Sequence, residues 1–467
     1  MRILYRDVAI GLVALSLAGW TLPNPPSVET VLYSFKGVPG DGALPFATLI
    51  ADKEGALYGT TSRGGISSGI NVGRDCAPDG CGTVFKLTPP AKGQTAWTET
   101  VLYSFKGYPT DGEYPTASLI ADKEGALYGT TVGGGIGRPY GTVFKLTPPA
   151  KGQTAWTETV LYSFKGGPTD GANLSAGLIV GNDGALYSTT YNGGSQSPGC
   201  PDRFGAGCGT VFKLTPPAKG QTAWTETVLY SFKGGPTDGA NPFSGVIADK
   251  TGALYGTAGG GSGSFGIVFK LTSPAKGQTA WTETVLYNFK GGASDGANPN
   301  GLIADKEGAL YGTTYYGGSS VNIIGNGTVF KLAPRAEGQT AWTESVLYSF
   351  KGGPSDGGNP SAGLIADNDG ALYGPTVVGG TSGFGTVFKL TPPGRGQTAW
   401  TESVLYSFGG DASDGRLPQA GLVGNEGTLY GTTYVGGSGL NGTVFKLTLC
   451  SDNNGDHDGC PVFLSQE

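Results

Sequence analysis

Between Ala117 and Phe164 the chain alternates short apolar runs with turn residues. Ser118-Leu119-Ile120-Ala121 is short and apolar, and Asp122-Lys123-Glu124-Gly125 is a turn. Ala126-Leu127-Tyr128-Gly129-Thr130-Thr131 is β-prone. A Gly-rich loop leads to Gly141-Thr142-Val143-Phe144-Lys145-Leu146-Thr147, which Pro148-Pro149 stops. The run Trp156 to Phe164 is long, aromatic and β-branched. These features predict four strands, here a, b, c and d, joined by Gly, Pro, Asp and Asn turns. Outside the first residues no segment has helical periodicity.

The same pattern recurs along the chain. Val-Leu-Tyr-Ser-Phe, or a near copy, begins at Val31, Val101, Val160, Val228, Val285, Val346 and Val404. Gly-Thr-Val-Phe-Lys, once with Ile for Thr, begins at Gly82, Gly141, Gly209, Gly266, Gly327, Gly385 and Gly442. A unit of this length cannot bury its own apolar faces and must stack on its neighbours. Four-stranded antiparallel units repeated radially form a β-propeller. The chain opens with a d-type strand, Val28 to Phe35, and finishes on a, b and c, Gly421 to Leu447, with no d. The N-terminal strand is therefore expected to complete the last blade, giving an all-β, seven-bladed ring without an exposed strand edge.

Leu-Tyr-Gly-Thr-Thr followed by Gly-Thr-Val-Phe-Lys-Leu resembles the GloVer-type tandem-repeat β-propeller family, over about residues 28 to 448. That resemblance implies a propeller architecture and export, with varied C-terminal anchors. The chain departs from such anchors after Leu449, where no apolar helix with a basic end follows.

Composition adjusts this picture. Glycine supplies 86 of 467 residues without a Gly-X-Y period, so the excess belongs to turns and not to collagen. A net charge of −6 leaves no electrostatic footprint for nucleic acid or an anionic membrane. Arg2 and Arg6 precede the apolar run Val8 to Trp20, with Ser16 and Ala18 at cleavage-type positions. Residues 1–19 thus read as an export signal, too short to span a bilayer. Trp20 stands where a lipoprotein would carry its lipidated Cys. The expected location is secreted, periplasmic or cell-surface, with no membrane insertion once the signal is removed. Six cysteines form local pairs, Cys76 with Cys81, Cys200 with Cys208 and Cys450 with Cys460. An even count in an exported chain predicts disulfides. Zinc would need other spacings and more than the one histidine, His457. Residues 449–467 are then a disulfide-closed acidic tail.

In an antiparallel blade the d–a and b–c loops share one face, and the a–b and c–d loops the other. The c–d loop, Pro-Pro-Ala-Lys-Gly-Gln-Thr-Ala-Trp, is nearly constant. The b–c loop varies, and is long at Ser62 to Cys81, Tyr191 to Cys208 and Tyr315 to Asn326. Variation on one face marks it as the candidate binding surface. Its unrepeated groups are Arg74, Tyr191, Asn192, Arg203, Tyr315, Tyr316 and Asn322. Aromatic faces and amides suit sugars or extended polymers.

The same face receives an Asp-Gly in every d–a loop: Asp41, Asp111, Asp170, Asp238, Asp295, Asp356 and Asp414. This ring could gather a cation or sugar hydroxyls. The plainer reading is an Asp-Gly turn, in which Asp accepts from nearby amides. Trp97, Trp156, Trp224, Trp281, Trp342 and Trp400 each precede a d strand. Gly-Gln-Thr-Ala-Trp resembles the docking motif of quinoprotein propellers, where indole packs between blades; stacking on sugar is the alternative. The lack of a vicinal Cys-Cys disfavours a quinone enzyme. Strand c Lys86 and strand d Glu99, with their counterparts, read as cross-strand pairs. In the tail, Asp452, Asn454, Asp456 and Asp458 alternate as calcium ligands do, but His457 and Val462 break an EF-hand pattern. Calcium is the one cofactor these residues would suit; the alternative is a solvated tail.

With His457 alone in the tail no Ser-His-Asp set can form, and there is no phosphate loop or Rossmann fingerprint. The expected role is a monomeric binding or interaction module for extracellular polysaccharide or protein, with no catalytic residue assigned. The alternative is a glycosidase or lyase using the unrepeated acids Asp75, Asp79 and Asp202, with Arg74, Arg138 and Arg203 as anion contacts.

Overall fold

Strand c of the first blade, Thr83–Thr88, lies between strand b, Leu57–Thr61, and strand d, Thr98–Ser104; strand a, Ile50–Ala51, completes the antiparallel order a-b-c-d. The computed structural model describes residues 27–449 except 67–75, 77, 138, 201–206, 236, 261–264, 320–324, 335–340, 412 and 426. Its described elements are all strands, and they build seven such blades. The last combines Val423–Asn425, Thr428–Thr433 and Thr443–Thr448 with the N-terminal Val28–Ser34, paired from Val28 opposite Thr448 to Ser34 opposite Thr443. The ring is thus closed by the strand that the sequence leaves unmatched.

Burial on both sides of the inner strands follows from radial stacking. Val84, Phe85 and Leu87 of strand c are fully buried. At every junction the Phe ending strand d meets, edge to face, the Phe of strand c in the next blade, with centroids 5.1–5.2 Å apart from Phe35–Phe85 round to Phe408–Phe445. Such pairs add about 0.5–1.5 kcal/mol beyond area burial. The glycine of Leu-Tyr-Gly follows from this packing: a Cβ on Gly59 would lie 2.7 Å from Phe85 Cζ.

Threonines tie the blades near the axis. The hydroxyls of Thr60, Thr130, Thr189, Thr257 and Thr313 donate to carbonyls of the next blade at 2.9–3.3 Å. The six tryptophans that precede strand d are half-buried and share an apolar cluster with the Ile or Val of strand a and the Tyr of strand b in the preceding blade; Trp97 meets Tyr430 at 6.3 Å and Trp342 meets Tyr255 at 6.4 Å. They dock blades together.

The expected Lys–Glu cross-strand pairing does not occur. Lys86 is opposite Thr100 and Glu99 opposite Leu87, so the two side chains are on opposite faces of the blade. Lys86 Nζ lies 5.1 Å from the Tyr58 ring centre and 4.0 Å from Asp52, which caps the a–b turn. Lys145 and Lys213 repeat this arrangement with Asp122 and Asp183.

Candidate functional site

The d–a and b–c loops share a face because they pair with each other. Gly42–Ala43 forms a short ladder with Arg63–Gly64, and the other blades repeat it. Each Asp of the Asp-Gly ring is buried inside this turn. Asp41 accepts from the Tyr33 hydroxyl at 2.8 Å and from the Lys36 and Gly42 amides at 2.8 and 2.6 Å. The tyrosine contact recurs in all seven blades. The carboxylates serve the turn, as an Asp-Gly turn requires.

A second acid ring lies behind the first. Glu99 of strand d is half-buried, and burial, then the nearby Asp41 carboxylate, pushes it up to about 7. Glu158, Glu226 and Glu402 are pushed up to about 8 by burial and by Asp111, Asp170 and Asp356 respectively. Glu29, Glu283 and Glu344 follow the same pattern. In all seven, Oε1 is buried without a hydrogen-bond partner among the described residues. Ionising these groups is therefore less favourable in the folded ring than in the unfolded chain.

After the turn the chain passes through a left-handed residue: Leu44, Tyr114, Asn173, Asn241, Asn298, Asn359 or Leu417, at φ between 51° and 58°. Asn tolerates that region, whereas Leu and Tyr pay for it. In six blades Pro follows, as in Leu44-Pro45 and Asn241-Pro242. Two residues beyond the left-handed one, the side chain varies from blade to blade: Phe46, Thr116, Ser175, Phe243, Asn300, Ser361 and Gln419.

There the ring opens into a cavity of about 410 Å³. Phe46, Phe243, Tyr191 and Tyr315 supply aromatic walls, and Asn241, Asn300 and Gln419 supply amides. Phe46 and Phe243, from the first and fourth blades, meet at 6.3 Å, and Phe46 also touches Tyr434 at 6.0 Å. Phe243 is 45% exposed and Tyr191 40%, so both rings are open to a ligand. Asn241 Nδ2 donates to the Tyr191 carbonyl at 2.9 Å and to Asn192 Oδ1 at 3.3 Å, while Asn192 Nδ2 donates to Asn173 at 3.0 Å. This amide chain fixes the wall between the third and fourth blades. A concave site with aromatic walls and convergent amides can hold a polar ring between stacking surfaces.

Of the residues singled out by sequence, Tyr191 and Tyr315 line this cavity. Asn192 buttresses it, and Tyr316 packs edge to face on Tyr315 at 4.7 Å. Arg74, Asp75, Arg138, Asp202, Arg203 and Asn322 lie outside the described residues, as do residues 1–26 and the tail with Asp452, Asn454, Asp456, Asp458, Cys450 and Cys460. Asp79 is exposed on the first insertion, and its carbonyl accepts from the Gly64 amide. Sequence reading missed Phe46, Phe243, Asn300, Ser361 and Gln419. The available signal was an unrepeated residue after a repeated Pro.

Cys76–Cys81 and Cys200–Cys208 are disulfides, with Cα atoms 4.8 and 5.1 Å apart. Cys81 and Cys208 each stand two residues before strand c and pack on Gly107 and Gly234, beyond the end of strand d. Tyr140, Phe265 and Phe384 occupy that slot in other blades, and Asn326 and Asn441 in two more. Each cystine therefore anchors a long insertion at a slot that other blades fill with one side chain. Disulfides are the product of an oxidising environment. Among the described residues no helix is long and apolar enough to cross a membrane.

A solved crystal structure of glucose dehydrogenase is similar at 15% identity, covering 66% of this chain and 92% of that one, with a TM-score of 0.37. No curated protein matches the chain. The profile of the Gloeobacter/Verrucomicrobia repeat matches residues 71–324 and 323–455. With seven blades built on that repeat, the chain belongs to the Gloeobacter/Verrucomicrobia repeat family.

Proposed function

We propose that this is an exported binding module that takes a sugar unit of an extracellular polysaccharide in the axial mouth of its variable-loop face. The observation that carries this reading is the cavity in which Phe46, Phe243, Tyr191 and Tyr315 converge with Asn241, Asn300 and Gln419. Aromatic faces stack on the C–H face of a pyranose, and amides bond its hydroxyls. The cystines that anchor the insertions of the first and third blades support both an oxidising location and a loop face held in shape. Ring closure pairs the N-terminal strand into the last blade, so no blade is left incomplete for self-association, in keeping with a monomer.

A glycan array read beside reducing-sugar release on the same polysaccharides tests this function. Binding without release is expected. Release of new reducing ends would favour the carbohydrate-active alternative, with its acids on the insertions. Failure to bind any glycan while retaining an extracellular protein partner would move the reading to protein recognition.

A further inference from the structure

The axial cavity offers a ligand two kinds of surface. Its walls include the rings of Phe46, Phe243, Tyr191 and Tyr315, and every residue in its lining is uncharged. Lys86 and several of its counterparts stack on tyrosines of strand b, but among the described residues no Lys or Arg lies over any of these four rings. An aromatic face carries the negative side of the ring quadrupole.

The polar groups are more one-sided than their composition suggests. Asn241 Nδ2 donates to the Tyr191 carbonyl and to Asn192 Oδ1. The buried Asn300 donates from Nδ2 to the Pro360 carbonyl at 2.7 Å and to Thr313 Oγ1 at 3.0 Å. A backbone carbonyl can only accept, so chemistry fixes which way round both amides stand. An amide has two N–H groups, and in both residues the pair is spent. What Asn241 and Asn300 can offer the cavity is the Oδ1 acceptor. Ser361 is in the same position, because its hydroxyl donates to the Gln419 carbonyl at 3.1 Å and keeps only lone pairs for a ligand.

Ring faces and fixed acceptors favour the same kind of group, a cation that is also a hydrogen-bond donor. A carboxylate or sulfate would meet lone pairs and ring faces of its own sign. A neutral hydroxyl would gain nothing from the ring quadrupoles. Resting on the reading of this mouth as a sugar site, we propose that it selects a protonated amine, so that the sugar unit it takes is an amino sugar of a deacetylated polymer. The ammonium group stands among the aromatic faces and donates to the amide and hydroxyl oxygens. The net charge of −6 favours the approach of such a polycation.

Titration calorimetry at mildly acidic pH, where the amine is protonated, compares β-linked oligomers of glucosamine, N-acetylglucosamine and glucose of equal length. The glucosamine oligomer is expected to bind about fivefold or more tightly than the other two. Phe243→Leu keeps apolar bulk without the ring and is expected to remove most of that advantage. A second pair of probes leaves out the sugar: choline, and its uncharged isostere in which carbon replaces the nitrogen. Choline is expected to bind more tightly than the isostere, again through Phe243. If choline wins in this way but no oligomer binds, selection of a cation holds, its source is a small ammonium compound, and the sugar reading fails. If the uncharged oligomers bind at least as well as the glucosamine oligomer, the proposal is overturned and the sugar reading stands. Failure of every probe to bind overturns the proposal as well.

Discussion

Phe46 and Phe243 are 197 positions apart and belong to the first and fourth blades, yet their rings meet at 6.3 Å over the mouth of the axis. Ring closure alone brings them together. Each stands just after a proline that follows a left-handed residue, Leu44 or Asn241. The repeated turn thus sets the position, and the unrepeated side chain sets what the mouth can recognise.

Scaffold and mouth are expected to respond oppositely to the same substitution. Phe350 is fully buried and pairs with Phe388 of the next blade. Phe350→Ala is expected to cost about 3–5 kcal/mol, as large-to-small core changes do. Phe46→Ala, at the partly exposed mouth, is expected to leave denaturant midpoints nearly unchanged. Chemical unfolding of the two variants, followed by tryptophan fluorescence, checks the contrast. Equal losses would show that Phe46 is core.

The seven half-buried glutamates predict a pH dependence with a definite sign. Their folded values, about 7 to 8, lie above the ordinary 4.5, so the folded state holds protons that the unfolded state has released. Their contribution to stability is complete below about 4.5 and is lost as pH rises through 7 to 8. Calorimetry between pH 5 and 9 is expected to show a falling melting temperature. Glu158→Gln is expected to flatten that fall. A melting temperature that rises over the same range would contradict the assignment.

The cystines are expected to act locally. Cys200→Ser with Cys208→Ser opens a short loop, for which chain-entropy reasoning gives about 2 kcal/mol. The propeller is expected to persist, because the slot at Gly234 is filled by single side chains in other blades. Limited proteolysis should then cut first within the insertion of the third blade. Cleavage spread through the blades would show that the cystine supports the whole fold.

Blade number, strand order, ring closure and the two described cystines were all legible in the sequence, because turn residues and apolar runs recur at fixed offsets and cysteines a few residues apart can meet locally. The partnership of Lys86 was not. Strand boundaries do not fix which residues of c and d stand opposite, and a bulge between Val84 and Phe85 shifts the ladder, placing Glu99 opposite Leu87. The axial cavity was half legible. Tyr191 and Tyr315 stood out because they fall in unequal loops. Phe46, Phe243 and Gln419 sit inside the repeat frame, where a single changed residue is easily read as drift. Their convergence depends on the radius of the closed ring, which local patterns do not encode.

The most direct test of the sugar-binding mouth is titration calorimetry with the oligosaccharide that scores highest on the array, comparing the unaltered protein with Phe46→Ala, Phe243→Ala and Tyr191→Ala. Each aromatic wall is expected to contribute about 0.5–1.5 kcal/mol, so each variant should bind roughly two- to tenfold more weakly, with its fold intact. Unchanged affinity in all three variants, with loss of binding when the Pro-Pro-Ala-Lys-Gly-Gln loops of the opposite face are altered, would contradict the account.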